Sequence, residues 1–169
     1  MKEVARLLRE MQTKKVIKDY AVFGAVAQMR YTEAVATMDA DVLIVLPRQG
    51  SINLLKPVYE FCRSQGYLPE GEAIRVGDWP VQFIPVFNTL TEQAVRTAET
   101  GEIEGIPLKV ASPDYLAAIA LSTGRPKDYA RILALLDSEA ISMIDIERLA
   151  ARHDLQSEWH KFRRRFLDE

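Results

Sequence analysis

Two carboxylates, Asp39 and Asp41, stand one residue apart where the apolar run 42–46 begins. Residues i and i+2 of a β-strand point to the same face, so these side chains would lie side by side. Two acids this close repel each other unless a cation or hydrogen-bond donors compensate. Carboxylate oxygens suit one or two divalent cations, and the pair therefore predicts a metal site. The alternative is that Asp39 closes a turn and Asp41 caps the strand.

A glycine turn upstream is the element that would face this pair. Residues 20–23 predict a short buried strand that ends at Gly24, which permits a sharp turn. The helical pattern returns from Ala25 to about Tyr31. A helix start of this kind exposes backbone N–H groups that can receive a phosphate.

The composition of the whole chain limits the function classes. A chain of 169 residues supports one domain, or one domain with a small appendage. Its net charge of -2 gives no general attraction to nucleic acid or membrane, so any polyanion site must be local. The single Cys62 excludes an internal disulfide framework, and no apolar run is long enough to span a membrane. We therefore expect a cytoplasmic protein.

The remaining elements of the first part alternate between helix and strand. Apolar residues at helical spacing predict a first helix around residues 4–11, and Ser51 is the expected cap of a helix that ends near Gly66. Segments 73–76 and 81–86, separated by the turn residues 77–80, predict an antiparallel hairpin. Capping-box spacing predicts a helix from Thr89, and 103–110 predicts a short edge strand or irregular piece.

The second part of the sequence is helical. Ser112-Pro113-Asp114 is a strong helix start, and Gly124-Arg125-Pro126 separates that helix from one carrying apolar residues at 129–136. Segments 145–153 and 156–167 predict two more helices. We therefore divide the chain into an α/β core of residues 1–110 and a helical C-terminal subdomain of residues 111–169 that packs on it.

Two stretches resemble the polymerase-beta-type nucleotidyltransferases. The first is Tyr20-Ala-Val-Phe-Gly24-Ala25-Val-Ala followed by Thr37-Met-Asp39-Ala-Asp41-Val-Leu-Ile-Val, with the glycine turn ahead of the acids and the apolar strand after them. The second runs from Ser112 to Tyr129 and is similar to the Gly-Arg, x-Lys-Asp segment of small nucleotidyltransferase-like proteins related to AbiEii-type toxins. The resemblance implies a mixed β-sheet flanked by helices, with a C-terminal helical extension.

The resemblance also implies a nucleotide site. Magnesium would be held by Asp39 and Asp41, the catalytic acids, while a nucleoside triphosphate would contact Gly24, Ala25, Arg125 and Lys127. Asp128 would orient one of the two cations. An acceptor hydroxyl would then attack the α-phosphate, in a reaction driven by positioning and electrostatics.

The sequence departs from the family pattern at three positions. Ala25 replaces the second small residue of the glycine pair and provides no hydroxyl for phosphate. Gln82 places an amide where a third carboxylate would help to deprotonate the attacking hydroxyl, and Ala120 stands where related helices often carry a lysine. The acids that could replace the missing carboxylate are Glu33, Glu72 and Asp78.

Three other features are weaker candidates. His153 and His160 have no matching carboxylate or thiol pair, so we expect surface histidines and no metal site there. Trp79 is expected to cover the hairpin. The basic run 161–165 could grip an RNA backbone, although a solvated helix end is the favoured interpretation.

Three functions remain open. The first is a magnesium-dependent nucleotidyltransferase acting on RNA or protein, with a cognate antitoxin-like partner implied by resemblance alone. The second is a catalytically degenerate relative, a pseudoenzyme that serves as an interaction module. The third is a structural domain in which the two acids form surface ion pairs with Arg30 or Arg48.

Overall fold

The structure is a computed structural model that describes residues 1–47 and 52–168. Within these residues the chain forms eight helices and seven strands. The helices are α1 (Lys2–Thr13), α2 (Gly24–Gln28), α3 (Lys56–Ser64), α4 (Thr89–Arg96), α5 (Pro113–Thr123), α6 (Pro126–Asp137), α7 (Met143–Arg152) and α8 (Gln156–Phe166). The strands are β1 (Asp19–Phe23), β2 (Ala40–Val45), β3 (Leu68–Glu70), β4 (Ala73–Val76), β5 (Trp79–Pro85), β6 (Glu99–Ile103) and β7 (Ile106–Val110).

All seven strands join one mixed sheet in the order β3-β4-β5-β2-β1-β7-β6. The central strand β2 pairs antiparallel with β1 and parallel with β5. Strand β1 is parallel to β7, and the outer pairs on both sides are antiparallel hairpins. The predicted α/β class, a mixed sheet flanked by helices, is therefore confirmed.

The core forms where helices cover the middle of the sheet. Helix α1 buries the predicted stripe of Val4, Leu7, Leu8 and Met11 and contacts β7 and α3. Helices α2 and α4 contact β1 and β2, and α5 joins them to the C-terminal helices. Burial of this apolar surface is the main term that stabilises the fold.

The structure corrects several predicted elements of the first part. Helix α2 ends at Gln28 and is thus shorter than the helix predicted to reach Tyr31. The cap of α4 is Asn88, whose side chain accepts a hydrogen bond from the backbone of Thr91, and not Thr89. The hairpin turn consists of Gly77 and Asp78 alone, because Val76 already pairs with Trp79. Ser51 lies outside the described residues, and the helix after it begins at Lys56.

The expectation of one edge strand over 103–110 is wrong. That segment belongs to a hairpin of β6 and β7, in which β7 lies inside the sheet against β1 and β6 forms the edge. The pairing of β7 with β1 also brings the C-terminal helices next to the first strand. Strand β3, at the opposite edge, was not predicted from the sequence.

The C-terminal helices follow the predicted pattern. Gly124 adopts a left-handed conformation (φ +67°) that ends α5, and Pro126 starts α6. Helix α5 contacts α4 as well as α6, α7 and α8, so the helical part packs directly on the core. No helix among the described residues is long and apolar enough to cross a membrane.

Candidate active site

The side chain of Asp41 lies directly over the glycine turn. In the antiparallel pair of β1 and β2, Asp41 stands opposite Phe23, the residue before Gly24. Gly24 has φ +68°, and a Cβ atom built on it would lie 2.6 Å from Oδ2 of Asp41. Glycine is therefore needed here both for the backbone conformation and for the close approach of the carboxylate.

The two carboxylates open into a cleft of about 500 Å³. One wall, called the β2 wall, is formed by residues between Ala25 and Asp41, including Gln28 and Asp39. The other wall, called the α6 wall, is one face of α6, with Lys127, Ala130, Arg131 and Ala134. The D-x-D pair thus faces the positively charged side chains of a helix more than 80 residues further along the chain.

The environment of Asp41 disfavours its charged form. Burial raises the pKa of the Asp41 carboxyl above its ordinary value, and the neighbouring charge of Asp39 raises it further. The positive charges of Lys127, Arg131 and Arg125 act in the opposite direction on the same pKa. The Asp41 carboxylate accepts no hydrogen bond from the part of the chain that the structure describes.

The ion-pair alternative is not found for Arg30. The Nε atom of Arg30 lies 3.7 Å from Oε2 of Glu99 instead. Within residues 1–47 and 52–168, no basic nitrogen lies within 4.0 Å of a carboxylate oxygen of Asp39 or Asp41. Arg48, the other partner considered, lies outside the described residues.

A hydrogen-bonded network holds the side chains of the α6 wall in place. The carboxylate of Asp128 is 1% exposed and accepts hydrogen bonds from Nε of Arg125 at 2.7 Å and from Nη1 of Arg131 at 3.1 Å. Nε of Arg131 donates in turn to Oε1 of Gln28 at 3.2 Å. Asp128 is therefore hydrogen-bonded to both guanidiniums, and the network also links α6 to α2.

The two cations predicted from sequence have different positions. Lys127 is exposed and lines the cleft. Arg125 does not line it, and its guanidinium is held by Asp128 at the start of α6. Sequence reasoning missed Arg131 and Gln28. The spacing of Lys127 and Arg131, four residues apart on one helix, is the signal that could have indicated Arg131.

Gln82 stands beside Asp41 in the sheet. The two residues are register partners in the parallel pair of β2 and β5, so their side chains share one face. An amide therefore occupies the strand position next to the acid pair. The candidate replacements Glu33, Glu72 and Asp78 do not line the cleft. The methyl group of Ala120 is buried in the core.

The acid pair fits a cation that needs few protein ligands. In the described residues, no group of three or more His, Cys, Asp or Glu side chains could hold a metal ion. Magnesium is usually bound through one or two carboxylates and keeps several waters. Asp41, half-buried and without a hydrogen-bond donor from the described chain, together with Asp39 provides such a donor set.

Of the weaker candidates, His153 and Trp79 pack against other side chains of the fold. His153 is half-buried with its ring edge-on to Tyr115, and burial lowers the pKa of the imidazole. It is thus not the surface histidine expected, whereas His160 is exposed. Trp79 belongs to β5 and packs on the core.

The basic run of α8 is partly engaged in packing. Arg163 pairs with Asp168 at 3.7 Å, and its guanidinium lies 6.0 Å from the ring centroid of Trp159. The flanking Phe162 is buried. Lys161, Arg164 and Arg165 remain exposed, and they do not line the cleft.

Comparison with known proteins identifies the fold. No family model and no curated protein matches the chain. A crystal structure of an antigenic nucleotidyltransferase-like protein from Paracoccidioides brasiliensis superposes with a TM-score of 0.56 and 14% identity, covering 93% of this chain and 90% of that one. The solution structure of the antibiotic-resistance factor ANT(2'')-Ia gives a TM-score of 0.52 and 11% identity, covering 92% and 94%. The chain therefore has a nucleotidyltransferase-like fold, and the relation to AbiEii-type toxins stays a prediction.

Proposed function

We propose that the cleft binds a nucleoside triphosphate together with magnesium, and that the protein transfers the nucleotidyl group to an RNA or protein acceptor. The observation that supports this most is the position of Asp41. Its carboxylate lies over the Gly24 turn and faces Lys127 and Arg131 across one cleft. The acids on one wall would bind the metal ion, and the cations on the other wall would bind the phosphate oxygens.

Each wall would have a separate task. Asp39 and Asp41 would hold the metal, and Lys127 would bind phosphate oxygens from the wall opposite. The turn at Gly24 and Ala25 would approach the phosphates with its backbone. Bound magnesium would neutralise charge that develops on the phosphate oxygens. Arg125, which Asp128 holds outside the cleft lining, would contribute positive potential.

A second candidate is nucleotide binding without transfer, in an interaction module whose partner is an antitoxin-like protein. Gln82 favours it, because an amide next to Asp41 cannot accept the proton of an attacking hydroxyl. The two candidates share the metal and phosphate contacts. They differ in whether chemistry follows binding.

Calorimetric titration with each nucleoside triphosphate and magnesium tests the metal and phosphate contacts that both candidates share. We expect saturable binding that Asp39→Asn or Asp41→Asn abolishes. The matched control is Asp78→Asn, which removes an acid in the β4–β5 turn, outside the cleft. Unchanged binding in both cleft variants would rule out the metal site.

Transfer of labelled nucleotide to total RNA or total protein separates the two candidates. Robust transfer by the wild-type chain would eliminate the interaction module. If the wild type binds but does not transfer, Gln82→Asp should create measurable transfer, because it adds a carboxylate beside Asp41. A variant that still transfers nothing, together with recovery of a stoichiometric protein partner, would support the module.

A further inference from the structure

We infer that Arg131 is the main phosphate contact of the cleft and that Gln28 and Asp128 are its positioning residues. This inference rests on the proposed function, and it names a contact that the sequence did not indicate. It also places Arg131 ahead of Lys127 and Arg125 as a phosphate contact.

Arg131 is fixed at two points before any ligand arrives. Its Nε donates to Gln28 at 3.2 Å and its Nη1 to Asp128 at 3.1 Å. Both acceptors are buried, Gln28 being 4% and Asp128 1% exposed, while the Arg131 side chain is 13% exposed. A side chain held in this way loses little rotamer freedom when it binds, and that saving strengthens binding.

Arg131 keeps donors for a ligand. A guanidinium carries five N–H groups. The contacts to Gln28 and Asp128 use one on Nε and one on Nη1, and Nη2 makes no hydrogen bond to the described chain. Because Arg131 lines the cleft, its free N–H groups can form charge-assisted hydrogen bonds to phosphate oxygens there.

The other two cations are less suited to this role. Arg125 has a side chain that is 55% exposed, and it directs Nε and Nη2 to Asp128. Lys127 lines the cleft but is exposed, and it forms no ion pair within the described chain, so binding must order a flexible chain of four carbons.

Charge balance leaves this wall positive. A single buried carboxylate, Asp128, faces two guanidiniums and can neutralise only one of them. The remaining positive charge lies partly buried, where electrostatic interactions are screened less than at the surface. An anion in the cleft would therefore gain more from Arg131 than from a solvated lysine.

The link to Gln28 gives Arg131 an influence on the opposite wall. Gln28 is the last residue of α2, which begins at Gly24 under the Asp41 carboxylate. The Arg131–Gln28 hydrogen bond thus joins the helix that carries the cations to the helix of the glycine turn. Loss of this bond should loosen phosphate binding without removing any charge from the cleft.

Titration of the full-length protein with magnesium tripolyphosphate and with magnesium ATP tests the inference. We expect Arg131→Lys and Gln28→Leu to weaken binding of both probes about 10-fold or more, the range for lost hydrogen bonds to charged groups. The matched control is Arg148→Lys, because Arg148 also pairs with an acid three residues earlier, Asp145, but lies on α7 outside the cleft. This control should bind like the wild type.

Nuclear magnetic resonance of arginine Nε–H groups supplies a second readout, which begins with the wild-type protein. In the wild type, tripolyphosphate should shift the Arg131 signal and leave that of Arg148 in place. The Arg131 signal should lose its protection from solvent exchange in Gln28→Leu, since the acceptor is gone. A wild type that binds neither probe would overturn the proposed function and this inference with it. Tight binding that Arg131→Lys or Gln28→Leu leaves unchanged, or an unmoved Arg131 signal on saturation, would overturn this inference alone.

Discussion

The two walls of the cleft are built on opposite principles. On the α6 wall, the buried carboxylate of Asp128 is fully engaged by Arg125 and Arg131. On the β2 wall, Asp41 and Asp39 repel each other, and Asp41 accepts no hydrogen bond from the described chain. The first wall is thus stabilised by its own contacts, whereas Asp41 on the second wall receives no such contact from the described chain.

This contrast separates charges that are paired inside the fold from charges that are not. A polar group that is paired inside the fold contributes to stability, and one that is left unpaired costs free energy. Proteins tolerate such a cost mainly where binding requires it. The comparison therefore predicts that substitutions on the two walls change stability in opposite directions.

The largest effect should come from Asp128→Asn. Removing the charge leaves two guanidiniums facing one neutral amide, and breaking a buried ion pair costs about 3 kcal/mol of unfolding free energy. Urea denaturation measures it. Asp145→Asn, at the more exposed ion pair of α7, should cost only about 1 kcal/mol. Equal losses in the two variants would remove the claim that the α6 wall stabilises the fold.

Gly24→Ala should separate backbone strain from the position of Asp41. Gly71→Ala is the matched control, since Gly71 has φ +63° and nothing within 4 Å of an added Cβ. Each variant should lose about 1 kcal/mol from the left-handed backbone. Only Gly24→Ala should also lose magnesium binding in calorimetry, because its methyl group displaces Oδ2 of Asp41. Magnesium binding that survives would mean that Asp41 is not the ligand.

Asp41→Asn should stabilise the protein. The substitution removes a half-buried charge that Asp39 repels, and gains of this kind are about 1 kcal/mol at neutral pH. Thermal denaturation without metal should show a higher midpoint for the variant. Asp78→Asn, outside the cleft, should leave the midpoint nearly unchanged. A lower midpoint for Asp41→Asn would show that this wall is stabilised by its own contacts after all.

The pH dependence of this gain should be the smallest measurable effect. The folded-state pKa of Asp41 is raised, so the folded protein holds that proton more tightly than the unfolded chain does. The contribution of Asp41 is therefore most favourable at low pH and is lost as the pH rises through its folded pKa. The advantage of Asp41→Asn should grow between about pH 3 and pH 7. An advantage that is constant with pH would exclude Asp41 as its source.

Local signals indicated the acids of the β2 wall and Lys127 of the α6 wall, but they missed Arg131 and Gln28. The strand before Gly24, the turn itself and the acids ahead of an apolar strand are readable within residues 20–46, and antiparallel pairing of β1 and β2 then brings them together. The hydrogen bond between Arg131 and Gln28 joins residues 103 positions apart. Such a contact depends on how α6 packs against α2, which no local pattern specifies.

The two edge strands of the sheet, β3 and β6, also lack a local sequence signal. Strand β3 is exposed along its length and contains Pro69, and β6 reads Glu-Thr-Gly-Glu-Ile without an alternating apolar face. Their strand conformation comes from pairing with β4 and β7. Sequence propensity is a weak guide where tertiary pairing decides the outcome.

The cleft draws its lining from residues 25–41 and 127–134, and this has a consequence for synthesis on the ribosome. The chain emerges from its N-terminus, so the strand with the two acids leaves the exit tunnel well before the helix with the opposing cations. Until α6 is free, the two acids lack the opposing positive charges of Lys127 and Arg131. The nascent sheet therefore acquires its electrostatic partner only after α6 has also left the tunnel.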